Sequence, residues 1–315
     1  MFAAYHFSYW RQLIARCGME AVPSGESTQS MADRGGRLLP HEFCLPVKLF
    51  MGHVLDLLDQ GVDKILLPRM TDRHRTNFFC PKLIGLPEIV KHTLNLEEHR
   101  LFSPEVICNG LDPKIIRSPM LDGVSRYRMQ WVEKQAKLDW KTVLNNCRRH
   151  KITIPEAVLP ETSTSPKPKG LHHHLSVGLL GYAYSLYDPF ISKGIPGKLD
   201  ALKISVRTWE MLKPALIEKS LMGLKRPLFW NFSRMLLGAG LYFLSDPSVD
   251  GILYITTFGC GPDSVAAEIL NIEAAKLHKP FLLINLDEHR EDGHLFTRLE
   301  AFADMLTALK EDKAV

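Results

Sequence analysis

The second half of this 315-residue chain alternates short, almost unbroken apolar runs with segments of helical period, and that alternation narrows the fold more than any other feature. SVGLLGY (176–182), KISVRTW (203–209), ILYITTF (252–258) and FLLINL (281–286) read as strands. SVAAEILNIEAAKL (264–277) and TRLEAFADMLTALK (297–310) read as helices, and YDPFISKGIPGKLDAL (187–202) as a helix interrupted around Gly194–Gly197. Strands apolar on both faces, with helices between them, predict a parallel sheet covered on both sides. The first half follows a looser version of the pattern. MEAVPS (19–24), DKILLP (63–68) and EVICNG (105–110) read as strands, FMGHVLDLLDQG (50–61) as a helix stopped by Gly61, and 121–150 as helical. In such a fold, ligands gather at the carboxyl ends of the strands.

A stretch rich in Pro, Ser, Thr and Lys, EAVLPETSTSPKPKG (156–170), interrupts the pattern and has linker chemistry. It predicts an α/β domain over 1–155, a linker over 156–174 and a second α/β domain over 175–315. Hydrophobic residues at 45% and charged residues at 23% exclude a disordered chain or a small scaffold that depends on disulfides. A net charge of +4, with its cations scattered among acids, argues against a nucleic-acid partner. No run reaches the roughly 18 uncharged apolar residues of a membrane span. The opening MFAAYHFSYWRQ lacks the order of a signal peptide, so a cytoplasmic location is expected.

Six cysteines, with no Cys-x-x-Cys pair among them, support neither a thioredoxin motif nor a zinc ribbon. Three share a setting. Cys44 (HEFCLPVKLFMGH), Cys80 (TNFFCPKLIG) and Cys260 (ITTFGCGPDSVAAE) each have a Pro one or two residues on, as at a helix start. Free N–H groups and the dipole of a helix amino terminus favour a thiolate, which is the form a soft metal or an iron–sulfur cluster takes. Gly259 and Gly261 leave room beside Cys260. The same residues also fit unrelated loop thiols, or a nucleophile. Cys17 and Cys108 read as core thiols. Cys147 reads as surface-helical, with Arg148 and Arg149 placed to lower its pKa.

Other candidates carry paired readings. Lys48 is a donor to a cluster or anion, or a solvated lysine; His53 is a packed or capping histidine near Asp56. Asp263 and Ser264 are N-capping residues or supports for Cys260. Asp287, Glu288 and His289 are an acid–base group, or hold their loop through Arg298. Tyr187-Asp188-Pro189 reads as a helix start. Gly178 and Gly181 form a lone Gly-x-x-Gly, a weak nucleotide signal. His172–His174 suggest a metal tract only weakly, and three cysteines with His41 or His53 could complete a zinc site.

In order along the chain stand FCLPVKLFMGHV, NFFCPKLIGLPEI, GYAYSLYDPF, DGILYITTFGCGPDS, and LDEHRED followed by TRLEAFADML. Together these segments resemble the acyl-CoA dehydratase activase-related family, itself similar to the subunits of 2-hydroxyacyl-CoA dehydratases and to double-cubane cluster proteins. The resemblance implies two Rossmann-like domains with parallel sheets and a site between them at strand carboxyl ends. It implies a [4Fe–4S] cluster on Cys44, Cys80 and Cys260, and one-electron redox chemistry. An ATP-dependent activase of the Hsp70–actin type would be a separate partner, and pairing with a like or related subunit is implied too. A metal-free binding or scaffold protein on the same fold is the alternative.

Overall fold

A computed structural model describes residues 2–71, 78–109, 112–117, 123–158, 173–226, 228–287 and 292–312. The chain divides into two compact units, Met1–Val143 with Phe229–Asn231, and Leu144–Leu228 with Phe232–Val315. It is an α/β protein with parallel strand pairing in both. Among the described residues, no helix is long and apolar enough to cross a membrane.

Unit 1 is mostly helical. It holds α1 (Phe2–Arg16), α2 (Gln29–Leu38), α3 (Leu45–Asp59), α4 (Pro81–Ile84), α5 (Leu86–Thr93) and the greater part of α6 (Arg126–His150). Its strands are short: β1 (Ile65–Leu66) pairs in parallel with β3 (Leu101–Phe102). β2 (Arg69–Met70) pairs in parallel with β4 (Glu105–Asn109), which pairs antiparallel with β5 (Asp112–Arg117). The expected strand over 19–24 is absent, and the segment has no regular structure. Pro23 denies a ladder its donor, and all six residues lie outside the core, so no packing rewards an extended pair.

The tightest packing in unit 1 is where α2 crosses α3. A Cβ on Gly35 would stand 1.9 Å from the Lys48 carbonyl oxygen, and one on Gly52 would stand 2.1 Å from that of Met31. The two backbones touch, and only glycine permits it. Thr28 caps α2 by accepting from the Met31 amide at 3.3 Å. A short helix holding two adjacent glycines looks like a loop by propensity alone. It forms because its backbone is its contact surface.

Unit 2 is the more regular. β6 (Leu175–Leu180), β7 (Ile204–Arg207), β8 (Gly251–Thr257) and β9 (Phe281–Leu286) form one parallel sheet in the order β7-β6-β8-β9. The expected strands all form, and β8 is buried along its whole length. The remaining helices are α7 (Ile154–Val158), α8 (Ala183–Tyr187), α9 (Pro189–Ser192), α10 (Ile195–Ala201), α11 (Pro214–Leu221), α12 (Asn231–Ser245), α13 (Gly261–Lys276) and α14 (Asp292–Asp312). Asp188 caps α9 through the amides of Phe190 and Ile191, as Tyr187-Asp188-Pro189 predicts. Lys193 and Gly194, both at positive φ, break the helix before α10.

The pleat shows that both faces of this sheet are covered. Gly178 of β6 faces Phe243 of α12, and its in-register neighbour on β8 is Ile252. Gly251, one residue back on β8, faces Phe302 and Leu306 of α14. Adjacent strand residues point to opposite faces, so α12 and α14 lie on opposite sides. α13 lies on the α12 side, where Gly240 of α12 meets Leu270. Gly178 is therefore a packing glycine. Chain order reverses between β6 and β8, which makes their carboxyl ends the topological switch point of unit 2.

Candidate functional site

The three cysteines singled out above each open a helix. Cys44 is the N-cap of α3, Cys80 of α4 and Cys260 of α13, each with a proline in the first turn. Cys-Pro and Cys-x-Pro are what placed them there.

Cys44 and Cys80 both belong to unit 1. Both are half-buried, and each lies close enough for Cys80 to raise the pKa of Cys44. Lys82 links the two loops: its Nζ donates to the Glu42 carbonyl at 2.6 Å and sits 5.0 Å from the centre of the Phe43 ring. Behind Cys80, Phe78 exchanges backbone hydrogen bonds with Phe229 and Asn231, both at 2.7 Å. The side-chain Nδ2 of Asn231 also donates to the Cys108 carbonyl at 2.9 Å. Burial pushes the Cys44 thiol above its ordinary range, while the Lys82 ammonium and the Val47 amide pull it down. The expected thiolate is thus opposed by desolvation, which outweighs the helix terminus at this site.

Cys260 stands at the switch point of unit 2, just past the carboxyl end of β8. It is buried, and Gly261 beside it has nothing within 4 Å of where a Cβ would be. Asp263 and Ser264 do not cap the helix. Ser264 Oγ donates to the Cys260 carbonyl at 2.8 Å, and buried Asp263 accepts from the Tyr254 hydroxyl at 2.5 Å. Burial raises the Asp263 carboxyl to about 6, and the Tyr254 hydroxyl opposes that rise.

Further buried polar groups at this edge of the sheet carry no sequence signal. Tyr182, after β6, bonds Ser233 of α12 at 2.6 Å. Glu210, after β7, is fully buried; it accepts from the Tyr187 hydroxyl and, at 3.4 Å, from the Ile154 amide. Burial pushes its pKa upward. Their partners lie 23 to 56 residues away in sequence, beyond the reach of local pattern.

Several single-residue expectations change. Lys48 is buried rather than solvated, because it lies on the α3 face that α2 covers. Cys147 is fully buried, and burial raises its pKa despite the opposing Arg148. It continues the inward face of α6 set by Val132, Ala136, Trp140 and Val143. Cys17 and Cys108 are core thiols, as expected. His53 Nε2 hydrogen-bonds Ser27 Oγ at 2.8 Å. Arg298 donates to the Leu283 carbonyl at 2.7 Å. Glu288, His289 and His172 lie outside the described residues.

Among the described residues, no group of three or more His, Cys, Asp or Glu is placed to hold a metal ion. Two of the thiols implied as cluster ligands belong to unit 1 and one to unit 2, so neither unit alone supplies the set a [4Fe–4S] cluster takes. No curated protein matches the chain. A family model described as "CoA enzyme activase uncharacterised domain" matches residues 1–212, which take in Cys44 and Cys80 and stop short of Cys260. That description corrects the expected function. It places the chain with the activase-type component, so the reading as an iron–sulfur redox protein on the dehydratase side is overturned. The ordered motifs and the matched model agree on lineage: the chain belongs to the CoA enzyme activase family, as its resemblance to acyl-CoA dehydratase activase-related proteins implied.

Proposed function

We propose that this chain is an accessory component on the activating side of a CoA-dependent dehydratase system and works beside a separate ATP-hydrolysing subunit. The observation that carries the reading is the family match over residues 1–212, which spans all of the first segment of unit 1 and both helix-opening cysteines. The Gly-x-x-Gly of the sequence is a packing motif, since Gly178 lies against Phe243 and Ile252, and in this reading ATP hydrolysis belongs to the partner. The strand order of unit 2, with its switch point at β6 and β8, supports a Rossmann-like reading of that unit. In this reading Cys44, Cys80 and Cys260 are the side chains most exposed to functional demand. Each opens a helix, and none of the three sits on the inward face of a helix or strand, as Cys108 and Cys147 do.

Sedimentation velocity tests the proposal. The chain is mixed in turn with the ATP-hydrolysing subunit and with the resting dehydratase. A complex with at least one of them is expected, and no dehydration of a 2-hydroxyacyl-CoA by the chain alone. Absence of both complexes, or turnover by the isolated chain, would overturn it.

A further inference from the structure

The helix α6 has two apolar faces, and unit 1 uses one of them. Val132, Ala136, Trp140 and Val143 are buried, while Tyr127, Trp131 and Leu138 are 85%, 56% and 50% exposed. At about 100° per residue the two sets are centred roughly 180° apart, so the exposed set is not the margin of the core face. It runs along the first three-fifths of the helix with Lys134 and Lys141 in the same stripe, about 21 Å from Tyr127 to Lys141. Two aromatic rings and a leucine in line, far from the core, have no folding role.

The charge of this stripe is one-sided. The two acids of α6 are already engaged: Glu133 with Lys137 at 2.7 Å, and Asp139 with Arg16 at 2.5 Å. Lys134 and Lys141 pair with no carboxylate among the described residues. A second copy of the same stripe would bring like charges together, which disfavours self-pairing. Aromatic anchors flanked by unpaired cations match an apolar face flanked by carboxylates.

We propose that the outer face of α6 is a docking surface for an acidic amphipathic helix of a partner protein. Tyr127, Trp131 and Leu138 bury its apolar face, and Lys134 and Lys141 meet its acidic flanks. The surface stands on its own observations and holds whichever enzyme the chain serves.

The test uses the whole chain and two labelled helical peptides, one with a Leu/Phe face flanked by Glu and its twin flanked by Lys, followed by fluorescence anisotropy. The Glu peptide is expected to bind saturably, more weakly at high salt, and roughly tenfold or more tighter than its twin. The triple variant Tyr127→Ser, Trp131→Ser, Leu138→Ser should lose roughly tenfold or more, with an unchanged circular dichroism spectrum because all three positions are exposed. The double variant Lys134→Glu, Lys141→Glu keeps the apolar anchors and should reverse the preference between the peptides. Equal binding of both peptides, no binding of either, or full binding by the triple variant overturns the proposal. So does stripe-dependent dimerisation in sedimentation, or stripe-dependent binding to anionic vesicles in place of the peptide.

Discussion

Replacing Gly35 by Ala and, separately, its neighbour Gly36 by Ala should move the stability of this protein in opposite directions. Inside a helix Ala is favoured over Gly by about 1 kcal/mol, so propensity alone predicts the same gain at both positions. At Gly36 the nearest atom to a new Cβ is the Lys48 Cδ at 3.8 Å, an ordinary contact, and that gain should be realised. At Gly35 the new Cβ would meet the Lys48 carbonyl at 1.9 Å and the Gly52 nitrogen at 2.8 Å. Both obstacles are backbone, so α2 and α3 must part. Overpacking of this kind costs about 1–3 kcal/mol, occasionally more, and with rigid backbone on both sides the upper end applies. The net expectation is a loss of about 2 kcal/mol for Gly35→Ala and a gain of up to 1 kcal/mol, roughly, for Gly36→Ala. Urea unfolding followed by helical circular dichroism reads both. Equal midpoints for the two variants would refute the close crossing. Because Cys44 caps α3, the damaging variant should also change the accessibility of that thiol.

Asp263→Asn should alter how stability depends on pH. The folded carboxyl, raised from 3.8 to about 6, holds a proton that the unfolded chain releases, so wild-type stability falls as pH rises from 4 to 6. The loss approaches about 3 kcal/mol, and the variant's profile should lack this part of the fall, keeping only what other raised carboxyls such as Glu210 contribute; parallel profiles would count against the buried Tyr254–Asp263 pair. Alkylation with iodoacetamide should reach Cys44 and Cys80 in the folded protein and spare Cys108 and Cys147 until denaturant is added. Peptide mass mapping checks the order, and early labelling of Cys147 would contradict its burial. Lys82→Met should shift the pH profile of Cys44 alkylation upward, since the lysine cation lowers that pKa. An unmoved profile would show that Lys82 has no hold on the thiol.

How much of this was legible in the sequence depended on where each residue's partners lie. β8 announced itself because a strand buried on both faces needs an unbroken apolar run, and the half-buried edge strand β9 was legible because FLLINL is a short apolar run of β-formers. The helix starts at Cys44, Cys80 and Cys260 were legible because proline is a local signal. α2 was hidden, since Gly35-Gly36 reads as a break until Lys48 and Gly52 of α3 are seen against it. Cys147 was misplaced by weighing its neighbours in sequence, Arg148 and Arg149, over its neighbours four and seven residues back, Val143 and Trp140. Asp263 looked like a cap because its partner, Tyr254, lies inside a strand that otherwise signals only apolar burial. The function was misread for a different reason. Residue types can mark a thiol site, but they do not say whether the protein carries out a reaction or prepares the enzyme that does.

The most direct test of the account is the rate at which a resting 2-hydroxyacyl-CoA dehydratase becomes active with its ATP-hydrolysing subunit, ATP and a low-potential reductant, measured with and without this chain. The account predicts faster activation when the chain is present, and no enoyl-CoA when the dehydratase is left out. An unchanged rate, or enoyl-CoA formed without the dehydratase, would contradict it.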